Sequence, residues 1–329
     1  MAERKAGITV ALDGTGGDTD RLGGIVRAAE FALTLYPAMR LIVFGSRELE
    51  RSLKKARTGS RCQFRLAPEC IPQDEAPLKV LEGYRDSAMR KAVEAVRDGE
   101  AQAVISAGGT GPLVALSRHI LGTLGRMRPA LCARIPAGEG RFSLMLDLGA
   151  NARSSAADLL SFAKLGTAAA RVMLKNAAPA VSVLNLGSEL CKGNRTVLEA
   201  RDLIASCRGL HCGGFVEANQ LFTGDTDIIV TDGFTGNVAL KAAEGVARII
   251  AHGPGMKRFF ARLAFPQWLA PWQYNGSLLL GVKGTVVKSH ASARQEALAV
   301  AIVEAARAVE AGLTEKMAAD PLLLQPSQA

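Results

Sequence analysis

ITVALDGTGGD, Ile8 to Asp18, passes from an apolar run into a glycine-rich turn that carries Asp13 and Asp18. The apolar half reads as a buried strand. The second half reads as the loop at its C-terminal end. A glycine-rich backbone can approach a ligand closely, and successive N–H groups form a nest for an anion. Two carboxylates repel a phosphate in the same place unless they bind a cation or orient other donors. This stretch leaves those options open.

The same succession of strand, glycine loop and helix recurs along the chain. Strands are expected at RLIVFG, CQFRLAP, QAVISAG, SLMLDLGA, AVSVLNLG, TDIIVTDG and GTVVKSH, with a shorter one at GGFVEANQLF. Helical spacing is expected from about Gly24 to Leu35, from Asp86 to Arg97 and after GGTGP. It recurs through SSAADLLSFAKLGTAAARVML, through NVALKAAEGVARII and in a final long helix, RQEALAVAIVEAARAVEAGL. Ser154 or Ser155 is the expected N-cap of the helix that follows SLMLDLGA. This alternation is the pattern of a mostly parallel sheet covered by helices, a three-layer Rossmann-like α/β domain expected to span residues 1–329. Ligands in such folds bind beyond the C-terminal ends of the strands. GTGGD lacks the GxGxxG spacing of a dinucleotide loop, and no GxxxxGK[ST] is present, so nucleotide-binding classes are disfavoured.

The chain has 329 residues, 48% hydrophobic and 5% aromatic, with a net charge of +9. So few aromatics disfavour a stacking surface for nucleic acid, and no long basic tract is present, so no nucleic-acid partner is expected. The positive field attracts an acidic partner of some kind. Cys62, Cys70, Cys132, Cys191, Cys207 and Cys212 form no CxxC pair and no zinc spacing, so no zinc module is expected and the thiols read as reduced, in the cytoplasm. MAERKAG leads straight into a strand without a signal-peptide core.

The strand-end loops gather a consistent set of groups. They supply Asp13, Gly16, Gly17 and Asp18, then Ser106, Gly108, Gly109, Thr110 and Gly111. Further on they supply Asp147 and Asn151, Lys192 and Asn194, Asp232 and Asn237, and Lys288 and His290. In the expected fold these converge on one crevice. Glycine N–H groups suit an oxyanion, the lysines and His290 supply donors, the asparagines supply oriented amides, and the aspartates hold those donors in place or hold a metal. SAGGTGP is an anion cradle at a helix start or a tight strand–helix connection. Asp147 orients Asn151 or caps a turn. Lys192 neutralises an oxyanion or is an exposed lysine in a turn. In DGFTGN, Gly236 is expected to let the chain turn and Asn237 to begin the next helix, as an N-cap or as a ligand donor. A covalent role for Cys191 finds no histidine arrangement to support it. MKRFFARLAFPQWLAPWQY, from Met256, stands apart. Its aromatic and basic residues make 255–280 a candidate for membrane contact, acyl entrance or subunit contact.

With these motifs in order, the chain resembles the bacterial phosphate acyltransferases of phospholipid synthesis, the acyl-[acyl-carrier-protein]:phosphate acyltransferases. The resemblance runs from Ile8 to about Leu313. It rests on Asp13–Asp18, where the family has D-A-M-G-G-D, and on Ser106–Gly111, where it has S-A-G-N-T-G. It rests also on LDLGAN, KGN, FTG at Phe222–Gly224, DGFTGN, YNGSLLLG and VKSH. Gly14, Thr15, Gly109 and Leu190-Cys191 depart from the family pattern near the site. The resemblance implies an isocitrate/isopropylmalate dehydrogenase-like and phosphotransacetylase-like fold, and transfer of a long-chain acyl group from acyl-carrier protein to inorganic phosphate without a cofactor. The acyl phosphate then feeds glycerol-3-phosphate acylation. It also implies a homodimer loosely attached to the inner face of the membrane, near a glycerol-3-phosphate acyltransferase. Lys192 and Asn237 would be the leading catalytic residues, with Lys288 and His290 behind them. The alternatives are a coenzyme A-dependent phosphate acyltransferase and a non-catalytic membrane-associated scaffold.

Overall fold

The computed structural model describes residues 7–17, 21–138, 140–252 and 274–324. The chain divides into two compact units. Unit 1 is Met1–Leu124 with Asn275–Glu315, and unit 2 is Gly125–Tyr274 with Lys316–Ala329.

Unit 1 begins with β1 (Thr9–Asp13), α1 (Arg21–Leu35), β2 (Arg40–Gly45), α2 (Arg47–Lys54) and β3 (Cys62–Leu66). It continues through α3 (Pro77–Glu82), α4 (Ala88–Arg97), β4 (Ala103–Ser106) and α5 (Thr110–Leu121). After the excursion through unit 2 it is completed by β10 (Ser277–Leu280), β11 (Thr285–Lys288) and α9 (Gln295–Glu310). Its strands lie in the order β3-β2-β1-β4-β11-β10. All pair in parallel except β10, which runs antiparallel to β11. The parallel strands read as continuous apolar runs because both faces are covered: Val10, Ala11, Val104 and Ile105 are fully buried. α1 packs on α9, which lies over β11, β4 and β1, while α4 lies over β1, β2 and β4 and packs on α5. Two helix layers therefore sandwich the sheet.

Unit 2 contains β5 (Ala130–Pro136), β6 (Phe142–Leu146), α6 (Ala156–Met173), β7 (Ala180–Asn185) and α7 (Arg195–Ser206). β8 (His211–Glu217), β9 (Ile228–Val230), α8 (Gly233–His252) and, near the C-terminus, α11 (Pro321–Leu324) complete it; α10 (Leu313–Ala318) precedes α11. The strand order is β5-β6-β9-β7-β8, with β5 antiparallel to β6 and the rest parallel. The N-cap of α6 is Ser155, not Ser154: the Ser155 hydroxyl accepts from Asp158 N, and the Asp158 carboxylate accepts from Ser155 N, a reciprocal capping box. Arg171 grips the Asp320 carboxylate with two bonds of 2.9 Å, tying the C-terminal turn to α6.

Two strands and several helices escape the sequence pattern. β5 and β10 are the antiparallel strands, outside the strand–loop–helix rhythm. α2 escapes because only Leu49 and Leu53 among its eight residues are apolar and buried.

Candidate functional site

In unit 1 the ends of β1, β4 and β11 are joined by a buried polar network. Asp13 is buried, and its carboxylate accepts from the Ser106 hydroxyl at 2.6 Å and from Thr15 N and Oγ1 at 3.0 and 2.8 Å. Ser106 Oγ in turn accepts from Gly108 N at 3.0 Å. Asp13 therefore shapes the two glycine loops rather than projecting into solvent. Gly16 lies directly against Gly108, and Gly17 lies beside the Ala291 carbonyl. Gly109 precedes α5 as its N-cap, with Thr110 and Gly111 as the first helical residues. A Cβ on Gly109 would stand 2.2 Å from the Gln73 carbonyl oxygen. This close approach explains a glycine where the family resemblance leads one to expect asparagine. Asp18 lies outside the described residues.

Lys288 ends β11, with its ammonium bonded to the Ser289 carbonyl. His290 follows in a loop held from behind by Asn275. The Asn275 side chain accepts from His290 N at 3.1 Å and donates at 2.8 Å to both Ser289 Oγ and Ala297 O. Asn275 is buried, and sequence reasoning misses it. Its place in YNGSLLLG looks like a turn residue, and its partners lie many residues away.

In unit 2, Asp147 at the end of β6 is fully buried. Its carboxylate accepts from the backbone N–H groups of Leu131, Gly149, Ala150 and Asn151 at 2.7–3.2 Å, and from the Asn151 amide at 2.9 Å. Burial pushes this carboxyl above the usual carboxylate range, and the N–H donors oppose the rise. Asn151 also donates to Pro129 O, so both residues of LDLGAN act as organisers of the loop.

The expectations for DGFTGN need correction. α8 begins at Gly233, so Asn237 lies inside the helix and is not its N-cap. Asp232 does the capping, accepting from Thr235 N at 2.9 Å and from Thr235 Oγ1 at 2.7 Å. Gly236 does not make a turn. It lets α8 press on the end of β6, where a Cβ would stand 2.2 Å from the Asp147 carbonyl oxygen. The same packing sets the Asn237 amide beside Gly149, and that amide has no bonding partner among the described residues.

Lys192 sits in an exposed loop, its ammonium 2.6 Å from Glu189. The hydrogen bond to Glu189 holds its pKa above the usual lysine value. Asn185, at the end of β7 and without a motif to mark it, braces this loop by donating to Gly187 O and Lys192 O at 3.1 and 2.8 Å. Asn194 caps α7, accepting from Val197 N at 3.0 Å. A cleft of about 510 Å³ brings Asn194 and Asp232 together with Arg153, Thr196 and Phe234.

Unit 1 thus assembles Asp13, Ser106 and the glycine loops with Lys288 and His290, and unit 2 assembles Asp147 and Asn151 with Asp232 and Asn237. Among the described residues no group of three or more His, Cys, Asp or Glu side chains is placed to hold a metal ion. No described helix is long and apolar enough to cross a membrane. Cys132 is a poor nucleophile, since burial pushes its thiol up to about 12. The segment from Met256 to Trp272 lies outside the described residues.

A family model described as "Fatty acid synthesis protein" matches residues 8–316. A phosphate acyltransferase of Aeromonas salmonicida is 42% identical over 313 residues, 91% of this chain and 92% of that protein. One from Moritella marina is 39% identical over 329 residues, covering 95% and 97%. Among solved structures, a phosphotransacetylase from Streptococcus pyogenes superposes with a TM-score of 0.62 at 17% identity, over 92% of this chain and 94% of that one. A branched-chain phosphotransacylase from Enterococcus faecalis gives 0.61 at 16% identity, over 94% and 99%. The structural likeness carries the fold, a mostly parallel α/β sheet of the phosphotransacetylase kind. The sequence likeness, spanning the strand-end loops described above, carries the family: this chain belongs to the phosphate acyltransferases, a family of transferases.

Proposed function

We propose that the protein transfers a long-chain acyl group from acyl-carrier protein to inorganic phosphate, releasing acyl phosphate for glycerol-3-phosphate acylation. The observation that carries this reading is family membership across residues 8–316, with a basic chain of net charge +9 to meet an acidic carrier. Hydrogen phosphate is itself the nucleophile. Its oxygen forms a bond to the thioester carbonyl carbon, the C–S bond breaks, and the phosphate proton passes to the departing sulfur. The site must overcome charge repulsion and hold phosphate beside the thioester.

Lys192, charged and exposed, neutralises the phosphate. Asn237, whose amide lacks a partner among the described residues, donates to phosphate or to the thioester oxyanion. Lys288 and His290 are the secondary catalytic residues, with His290 assisting proton transfer to sulfur. The glycine loops of Gly16, Gly17, Gly108, Gly109, Thr110 and Gly111 offer N–H groups to the anion, with Asp13 and Asp18 organising the loops of unit 1 and Asp147, Asn151, Asn194 and Asp232 those of unit 2.

A homodimer belongs to the same reading. Phe234, Val238, Val246, Ile249 and Ile250 leave an exposed apolar stripe along α8, suited to a second copy. Contact with the inner membrane face, through 255–280, and a neighbouring glycerol-3-phosphate acyltransferase complete it. The deciding experiment follows acyl phosphate formation by the purified protein from long-chain acyl-carrier protein and from the coenzyme A thioester. Product from the carrier substrate is expected. Product from coenzyme A alone would replace the reading with a phosphotransacetylase-like one, and none from either would favour a scaffold.

A further inference from the structure

α2 of unit 1 has two opposite faces. Leu49 and Leu53 are buried against the unit. Arg47, Arg51, Lys54 and Lys55 follow the i, i+4, i+7, i+8 spacing that lines one helical face, and all four are exposed. Arg57 extends the stripe past the helix end. The nearby acids do not neutralise it. Glu50 is shared between Arg47 and Lys54, at 3.3 and 2.9 Å. Glu30 of α1 accepts the backbone N–H of Arg57, and Glu48 stands on the flank. The side chains of Arg51, Lys55 and Arg57 have no partner among the described residues.

The helix also has a fixed relation to the strand-end loops. It starts directly after β2, and a Cβ on Gly14 would stand 2.5 Å from Leu49 Cδ2 and 2.6 Å from Phe44 O. The buried Leu49 face therefore anchors α2 beside the Gly14 turn, and the basic face is on the opposite, solvent side of the same short helix. Its exposed side carries no large apolar residue to insert into a lipid surface, which separates it from an interfacial helix. A stripe of cations without an apolar complement fits an acidic protein surface.

We propose that the Arg47–Arg51–Lys54–Lys55–Arg57 face of α2 is the docking surface for the acidic carrier protein that delivers the acyl thioester. This rests on the carrier-dependent reading above. Charge complementarity at such a surface acts on encounter and affinity, so it lowers KM for the carrier and leaves the chemical step alone.

The test is the double charge reversal Arg51→Glu with Lys55→Glu, neither residue being part of the catalytic set. Binding of acyl-carrier protein is titrated directly, and kinetics are measured with the carrier thioester and with the coenzyme A thioester. We expect roughly tenfold or greater weakening of carrier binding and a matching rise in KM. kcat should be unchanged, the coenzyme A kinetics unaltered, and the salt dependence of carrier KM flattened. Carrier binding equal to that of the unaltered protein overturns the docking surface and leaves the carrier reaction standing. An equal loss with both thioesters also overturns it, since the site itself would then be disturbed. Loss of binding to anionic vesicles without change in carrier KM assigns the face to lipid and overturns it. If the unaltered protein neither binds nor uses the carrier, the parent reading falls and this one with it.

Discussion

Asp13 and Asp147 occupy equivalent places in the two units, each buried at the C-terminal end of a strand, yet they are satisfied differently. Asp13 draws on hydroxyls of Ser106 and Thr15 along with one backbone N–H. Asp147 draws on four backbone N–H groups and one amide. A hydroxyl can rotate to another partner; a backbone N–H in a folded loop cannot. The carboxylate in unit 2 is thus part of the loop's conformation, whereas the one in unit 1 tunes a conformation that its glycines already allow. Lys192 is the opposite case, exposed and held by a single ion pair with Glu189.

The sharpest way to break this comparison is to remove each carboxylate. Asp147→Ala strands several buried donors and should cost about 3–5 kcal/mol in urea unfolding. Asp13→Asn keeps an acceptor oxygen and should cost about 1–2 kcal/mol. Equal losses would mean that the two shells are interchangeable. Lys192→Ala should lower kcat/KM about 100-fold while the urea midpoint stays in place. Because the Glu189 bond raises the Lys192 pKa, the charged form is complete through neutrality and is lost only as pH rises through that raised value. The activity gap between Lys192→Ala and the unaltered enzyme should therefore be constant from roughly pH 6 to 9; a gap that closes within that range would remove the ammonium from the mechanism.

Smaller effects sharpen the contrast between neighbouring glycines. Gly109→Ala forces a methyl against the Gln73 carbonyl and should cost about 1–3 kcal/mol. At Gly111 the nearest atom to an added Cβ is Pro77 Cγ at 3.9 Å, so Gly111→Ala should be neutral or stabilise by up to about 1 kcal/mol. Thermal unfolding of the pair checks this, and a reversed order would refute the close-approach account. Asn194→Ala, which removes only the cap of α7, should cost about 1 kcal/mol.

Much of this arrangement is legible from residue order because parallel strands buried on both faces are apolar throughout, and their terminal loops carry the glycines and aspartates. The antiparallel strands β5 and β10 break that rhythm, so residue order does not reveal them. Helix α8 is legible, but its start is not: Asn237 looks like a cap because Gly233 and Gly236 look like turn residues. Both glycines are helical and serve the packing of α8 on Asp147. Asn275 and Asn185 escape for a common reason. Each braces a loop from behind, and the loop, not the brace, carries the recognisable motif. For Asn275 the partners are also distant in sequence, at Ser289, His290 and Ala297.

The return of the chain to unit 1 has a consequence for the order of events during synthesis. β4 ends at Ser106, but its parallel partner β11 begins at Thr285. About 180 residues must be made in between, which takes roughly 10–35 s at typical elongation rates. Throughout that interval the β4 edge lacks its neighbour, and Ser106 O lacks the Ser289 N–H that it accepts in the finished protein. Asn275 and its loop emerge in the same late window. The Asp13–Ser106 network of unit 1 is therefore translated early and closed last, so a nascent chain stalled before Thr285 presents an unpaired strand edge for chaperones to shield.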